Sequence, residues 1–277
     1  MPIITISRGV KSGGIALANA LAKRLGYACL SREIIVESAR KYNIEEETLW
    51  AEMSRPPSLW QRLTRERQRY LIFVRCALLD AAKNDNLVYH GHAGQVFLEG
   101  IRHVLKVRIE APLEDRVRAL MEEQQLEREA ATERIKREDE ERRRWVRFLF
   151  DKEWVDPALY DLTLNLATMG LETACDIVCY AVTRPDFQPT EETILKLHDR
   201  SLECEVMAGL SADNDLWDRG LAVEAYNGSV VVHGQVRSKV HRDAVADIVS
   251  KVKGVRSFEL YVGLASDPPL DGLNWRD

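Results

Sequence analysis

The sequence has no apolar run long enough for a membrane-spanning helix, because charged residues interrupt every hydrophobic stretch. Its five cysteines, Cys29, Cys76, Cys175, Cys179 and Cys204, include no CxxC pair and no metal-ligand spacing, which argues against a zinc site. Cysteines odd in number and so scattered are expected to remain thiols in a reducing compartment. Cys175 and Cys179, four apart on an expected helix with apolar neighbours, are expected to pack rather than do redox work. Met1 to Ile6 lead straight into a strand pattern with no basic leader and no small-residue cleavage site, so the expected location is cytoplasmic. Excess positive charge is missing as well. Residues 188–277 hold 10 Lys+Arg against 15 Asp+Glu, so the whole net charge of −5 lies there. Such a segment argues against capture of nucleic acid or of an anionic membrane, both of which reward clustered Lys and Arg.

What is present suits a soluble chain of two domains: 277 residues, 45% hydrophobic and 30% charged. Ile3 to Ile6 are β-branched and apolar, as a buried strand requires. From Gly14 to Leu25 the spacing of Ile15, Ala18, Leu21, Ala22 and Leu25 predicts a helix, and Gly26 stops it. A short strand at 27–30 and a helix over 32–42 follow, with Ser31 as N-cap. Pro56-Pro57 break the chain, and helical spacing returns over 59–82. Strands are expected at 87–90, 104–109 and 160–166. Helices are expected from Pro112 to Glu123, from Glu127 to Phe150 and from Leu171 to Val182. Strands alternating with helices at this spacing argue for an α/β domain with a parallel sheet flanked by helices over residues 1–184. Residues 185–190, with two prolines, read as a linker. Residues 191–266 read as a small α+β domain, with a helix over 190–207 and a hairpin whose strands flank Asn227-Gly228. A helix opened by Ser238 and an alternating strand at 255–262 complete it. Residues 267–277 are a tail.

The strand, turn and helix around Ser7, Arg8, Gly9, Val10, Lys11, Ser12, Gly13 and Gly14 have the layout of a phosphate cradle. In such a cradle small residues expose backbone N–H groups and a helix N-terminus adds partial positive charge. The letters fit only partly. Laying the P-loop pattern GxxxxGK[ST] on this segment puts Arg8 at the first glycine, Gly14 at the lysine and Ile15 at the metal-binding hydroxyl. The charged helix over 127–150 reads equally as a solvated, salt-bridged surface. His90 and His92 close a strand without a third ligand in view, so no metal site is assigned.

The run "ITISRGVKSGG" resembles the opening of the cytidylate kinase-like family, a strand followed by SR and GSGG, with Lys11 where glycine is usual. "LSREII" (30–35), "APLEDRV" (111–117), "IKREDEERR" (135–143) and "YDLTLNL" (160–166) continue the likeness in the family's order. The resemblance implies a P-loop NTPase-type sheet in which residues 7–14 hold the phosphates of ATP, with Mg2+ as its companion. It also implies that Arg32 starts the helix facing the acceptor nucleotide. His92 stands where the family has an arginine, and a histidine, mostly neutral at pH 7, does not supply the same fixed charge on the acceptor side. The basic helix becomes a lid, with Arg137, Asp139 and Arg142 as catalytic candidates beside Lys11. Phosphoryl transfer needs positioned cations more than covalent machinery, which suits that assignment. The segment "VEAYNGSVVVHGQVRSKVHRDAVADIVSKVKGVRSFELYVGL" resembles a BON domain, which implies a protein or small-ligand partner rather than catalysis. Two functions follow as expectations. One is a kinase acting on a nucleoside monophosphate or a similar small acceptor. The other is a degenerate nucleotide-binding regulator.

Overall fold

The computed structural model describes residues 2–31, 33–54, 65–84, 86–91, 93–216 and 220–264. It divides into two compact units, Met1–Leu63 with Ala77–Ile194 and Thr64–Cys76 with Leu195–Asp277.

The first unit is built on five parallel strands: β1 (Ile3–Arg8), β2 (Ala28–Leu30), β3 (Leu87–Tyr89), β4 (Val104–Glu110) and β5 (Leu162–Asn165). They lie in the order β2-β3-β1-β4-β5, so the chain leaves β1 for one side of the sheet and later crosses to the other. In an open parallel sheet a crevice forms at such a reversal, outside the carboxyl ends of the strands. The loop after β1 sits there. Ile3, Ile4 and Ile6 are buried because helices cover both faces.

Helix α1 (Gly14–Leu25) packs Leu17, Ala18, Leu21 and Ala22 into the main core, where they meet Ala174, Cys175, Val178 and Val182 of α8 (Leu171–Val182). Cys175 and Cys179 thus belong to packing, Cys175 inside the core and Cys179 against it. Ile15, expected on the buried face, is 48% exposed, because Leu17 takes the inward position. Gly26 closes the helix at φ 70, as its sequence position suggested. The β2–β3 connection contains α2 (Glu33–Lys41), α3 (Glu46–Ser54) and α4 (Arg65–Ala82), and α5 (Gly94–Phe97) follows β3. Between β4 and β5 lie α6 (Leu113–Gln124) and α7 (Arg128–Phe150). The proline break at 56–57 lies outside the described residues.

The second unit contains most of α9 (Glu191–Ala212), the strands β6 (Ala222–Tyr226), β7 (Ser229–Val236) and β8 (Ser257–Leu264), and α10 (Lys239–Lys251). β6 pairs antiparallel with β7, and β7 pairs parallel with β8. Asn227 and Gly228 both have positive φ, 51 and 78, which is the backbone that makes this dipeptide a hairpin turn. Val230, Val232, Val236 and Val262 form a core with Leu202, Val206 and Leu210 of α9 and Val245 and Val249 of α10.

Residues 64–76 of α4 belong to this second unit. The Arg69 guanidinium donates to the Ser211 and Ala212 carbonyl oxygens at 2.6 and 3.2 Å, and so caps the end of α9. Cys76 and Cys204 form a disulfide across 128 residues of sequence, which corrects the expectation that all five cysteines are thiols. A pairing so distant leaves no local spacing pattern. Cys29, Cys175 and Cys179 are free.

Candidate phosphate-binding site

The loop after β1 owes its shape to glycines at close approaches. Gly13 adopts φ 87, and a Cβ there would lie 2.8 Å from Leu166 Cδ1. A Cβ on Gly9 would lie 3.0 Å from the Arg116 guanidinium. Lys11 is also in the left-handed region, at φ 57, where glycine is the easier residue. The Ser12 hydroxyl donates to the Gly9 carbonyl at 3.0 Å and pins the turn. No side chain caps the start of α1, and its first turn carries no acidic residue. Its leading amides face the loop without a carboxylate from their own helix.

Two elements, α6 and α7, hold this loop from outside. Val10 is buried in a small cluster with Val117 and Leu120 of α6 and Ala131 and Ile135 of α7. Its backbone N–H donates to Asp139 Oδ1 at 3.1 Å, and its carbonyl accepts from Arg116 Nε at 2.6 Å. Arg116 and Asp139 are themselves paired at 2.5 Å, which closes a triangle of loop, α6 and α7. Asp139, a catalytic candidate from the sequence, is thus engaged in bracing the loop. Arg116, which lies within the family-like run APLEDRV but carries no assigned role there, stands at its centre on the inward face of α6 beside Val117 and Leu120.

The remaining candidates scatter. Arg142 donates from Nη1 to the Arg8 carbonyl at 2.7 Å, which brings α7 onto the end of β1. Arg137 points to solvent, its side chain 67% exposed and 4.0 Å from Glu141. Lys11 forms an ion pair with Glu123 at the end of α6, and that contact holds the Glu123 carboxyl below the ordinary carboxylate range. The Ser7 hydroxyl faces inward. It accepts from Trp154 Nε1 at 2.9 Å, lies 3.1 Å from the Tyr160 hydroxyl, and belongs to a buried group that includes Arg108. Arg32 and His92, the acceptor-side candidates, lie outside the described residues.

Arg8 is the electrostatic centre of the site. Among the described residues its guanidinium has no carboxylate partner, and its Nε is buried without a hydrogen bond. Burial, and next the like charge of Arg142, push its pKa down to about 10, so it remains a cation at neutral pH. Burial also lowers Arg142, although Asp139 and Glu138 pull it back up. His90, next after β3, is held below the usual histidine range by burial and then by Arg8, and its Nδ1 has no partner. Arg8 thus feels the like charge of Arg142, and His90 that of Arg8, beside the start of α1.

A model of the cytidylate kinase-like family matches residues 3–168, and a model of the BON domain matches residues 198–257. No curated protein matches the chain. Among solved structures, an uncharacterized protein from Eubacterium ventriosum superposes with a TM-score of 0.51 at 19% identity, over 66% of this chain and 99% of its own. Shikimate kinase from Bacteroides thetaiotaomicron matches with a TM-score of 0.43 at 13% identity, over 66% of this chain and 99% of its own. Shikimate kinase from Acinetobacter baumannii in complex with shikimate gives 0.39 at 15%, over 66% and 93%. The family match runs from β1 through the arginine-rich α7 to β5, over more than half of the sequence. The chain therefore belongs to the cytidylate kinase-like family and carries a BON domain behind its kinase-like unit.

Proposed function

We propose that the first unit binds ATP through the loop of residues 7–14 and transfers its terminal phosphoryl group to a nucleoside monophosphate of the cytidylate class or a similar small acceptor. The observation that carries this reading is Arg8, a cation beside the start of α1 with a buried donor that has no partner and with Arg142 fixed on its carbonyl. A bound polyphosphate would offset the like charge that Arg142 sets against it. The fixed charge of Arg8 and Arg142 acts on the oxygens of the transferring group, where such stabilisation counts most. Arg137, solvent-exposed on α7, is available to an incoming nucleotide. Arg32 and His92 are proposed on the acceptor side.

The fit to magnesium is narrower. The first-turn hydroxyl of the usual pattern is replaced by Ile15, the Ser7 hydroxyl is engaged with Trp154, and the Ser12 hydroxyl is turned onto Gly9. Mg2+ would therefore be held through nucleotide oxygens and water, and would supply charge neutralisation when bound with ATP. The BON-like unit serves a protein or small-ligand partner. A nucleotide donor and acceptor of this kind support a cytoplasmic location.

A coupled ADP-release assay with Mg-ATP against CMP, dCMP, UMP and AMP, run beside calorimetric titration of ATP, tests the proposal. Turnover with one acceptor supports it. Gly14 and Ile15 favour a second reading, a nucleotide-binding regulator without turnover, which tight ATP binding and no ADP release would select. Absence of both binding and release would sink both.

A further inference from the structure

Glycine at position 14 needs its own explanation. Gly13 has a positive φ that asks for glycine, but Gly14 is the first residue of α1 and its φ is not positive. Its backbone would accept any side chain. What excludes one is space: a Cβ on Gly14 would lie 2.7 Å from Arg8 Cδ, 2.8 Å from Arg8 Cβ and 3.2 Å from Arg8 Cγ. The stem of Arg8 runs across the point where a residue-14 side chain would begin.

In the usual P-loop the lysine of GxxxxGK begins at that point and reaches the outer phosphates, while the first position of the motif is a bare glycine. Here the two letters are exchanged, with the cation at the first position and the glycine at the lysine's. We propose that Arg8 and Gly14 are a reciprocal pair, in which Arg8 supplies from the end of β1 the phosphate-binding cation that the motif otherwise carries on the helix. The inference rests on the phosphate-binding reading above and deepens it. The ligand is the outer end of a polyphosphate, whose several oxygens suit the planar fork of a guanidinium. Gly14 is then the condition for Arg8 to lie where it does, and Arg142 is fixed on the Arg8 carbonyl beside it.

The test is an exchange, read by calorimetric titration of the full chain with Mg-ATP and separately with tripolyphosphate. Arg8→Met keeps an unbranched stem on Gly14 and removes the charge. It should weaken binding about ten- to a hundredfold, as loss of a charge-assisted pair does, with the first unit's melting transition retained. Gly14→Lys alone forces its stem into that of Arg8 and should weaken binding at least as much. The double variant Arg8→Gly with Gly14→Lys, which restores the usual letters, should bind more tightly than either single variant. Binding by Arg8→Met within about threefold of wild type, or a double variant no better than Gly14→Lys, overturns the exchange alone. A wild type that binds neither titrant overturns the exchange and the phosphate-binding reading together.

Discussion

Asp139 joins the loop to α7 and to Arg116, and its removal gives a demanding test. Asp139→Ala deletes the acceptor for the Val10 N–H and the partner of Arg116 in one step. A hydrogen bond to a charged acceptor is worth about 1.5–3 kcal/mol. Stripping one partner from a buried ion pair costs about 3–5 kcal/mol, because the other charge is left in a low dielectric. The two losses share an atom group and do not add. The Asp139 side chain is 19% exposed and Arg116 still reaches the Val10 carbonyl at 2.6 Å, so water and that carbonyl recover part of the loss. The expected destabilisation of the first unit is about 3 kcal/mol, and about 1–2 kcal/mol for Asp139→Asn, which can still accept from Val10. Urea unfolding followed by tryptophan fluorescence is suitable, since Trp145 and Trp154 are both buried in this unit. ATP affinity should fall in parallel, because the loop that carries Arg8 loses its anchor to α7. A residue that only touches the reacting atoms would behave otherwise, with turnover lost and stability untouched. Asp139→Ala within about 0.5 kcal/mol of wild type, the range of an ordinary surface substitution, would refute the bracing role.

Other consequences are as direct. Gly13→Ala should cost the first unit about 1–3 kcal/mol in thermal unfolding, because the positive φ and Leu166 at 2.8 Å act together. Gly26→Ala, at φ 70 with nothing within 4 Å, should cost only about 1 kcal/mol, and equal losses would deny the close approach. Thiol titration of the unfolded, unreduced chain should find three reactive cysteines, and reduction should lower the stability of the second unit by about 2–4 kcal/mol. Five thiols before reduction would remove the staple from the account. The Arg8 charge fixes the sign of the pH response. Its pKa is lowered to about 10 in the fold, so the protonated side chain opposes folding, and that penalty is lifted as pH rises above about 10. Tripolyphosphate affinity should accordingly hold steady from pH 7 to 9 and decline above about 10, while a decline centred near pH 6 to 7 would assign the charge to a histidine instead.

Much of the fold was legible because its signals are local. The apolar run of β1, the Gly26 stop and the Asn227-Gly228 turn each state their backbone within a few residues, and the structure places the corresponding elements there. The order of α/β units followed from the alternation of such signals. α3 was not read, since its stretch has little apolar periodicity, and Ile15 was assigned inward because a 3.6-residue period does not say which of two adjacent positions faces the core. The site was legible in outline only. Small residues between a strand and a helix announce a cradle, yet the triangle of Val10, Arg116 and Asp139 joins residues more than a hundred positions apart. The Cys76–Cys204 pair and the capping of α9 by Arg69 are invisible to any local pattern for the same reason.

Read by letters alone, Gly14 counts against phosphate chemistry, because a lysine is missing. A P-loop lysine, however, has two properties, a charge and a path by which that charge reaches the phosphates, and the path can be taken from either end of the loop. Here the path is occupied by Arg8, whose stem passes within 2.7 Å of where a residue-14 Cβ would stand. A lysine at 14 would collide with Arg8 and set two cations side by side, so the absence of one is what the presence of the other requires. Arg142 strengthens the point. Its charge makes the Arg8 cation costlier in the empty site, a cost that a polyphosphate would reverse. Repulsion of this sign, present when the site is empty and relieved when it is filled, is what the proposed exchange requires.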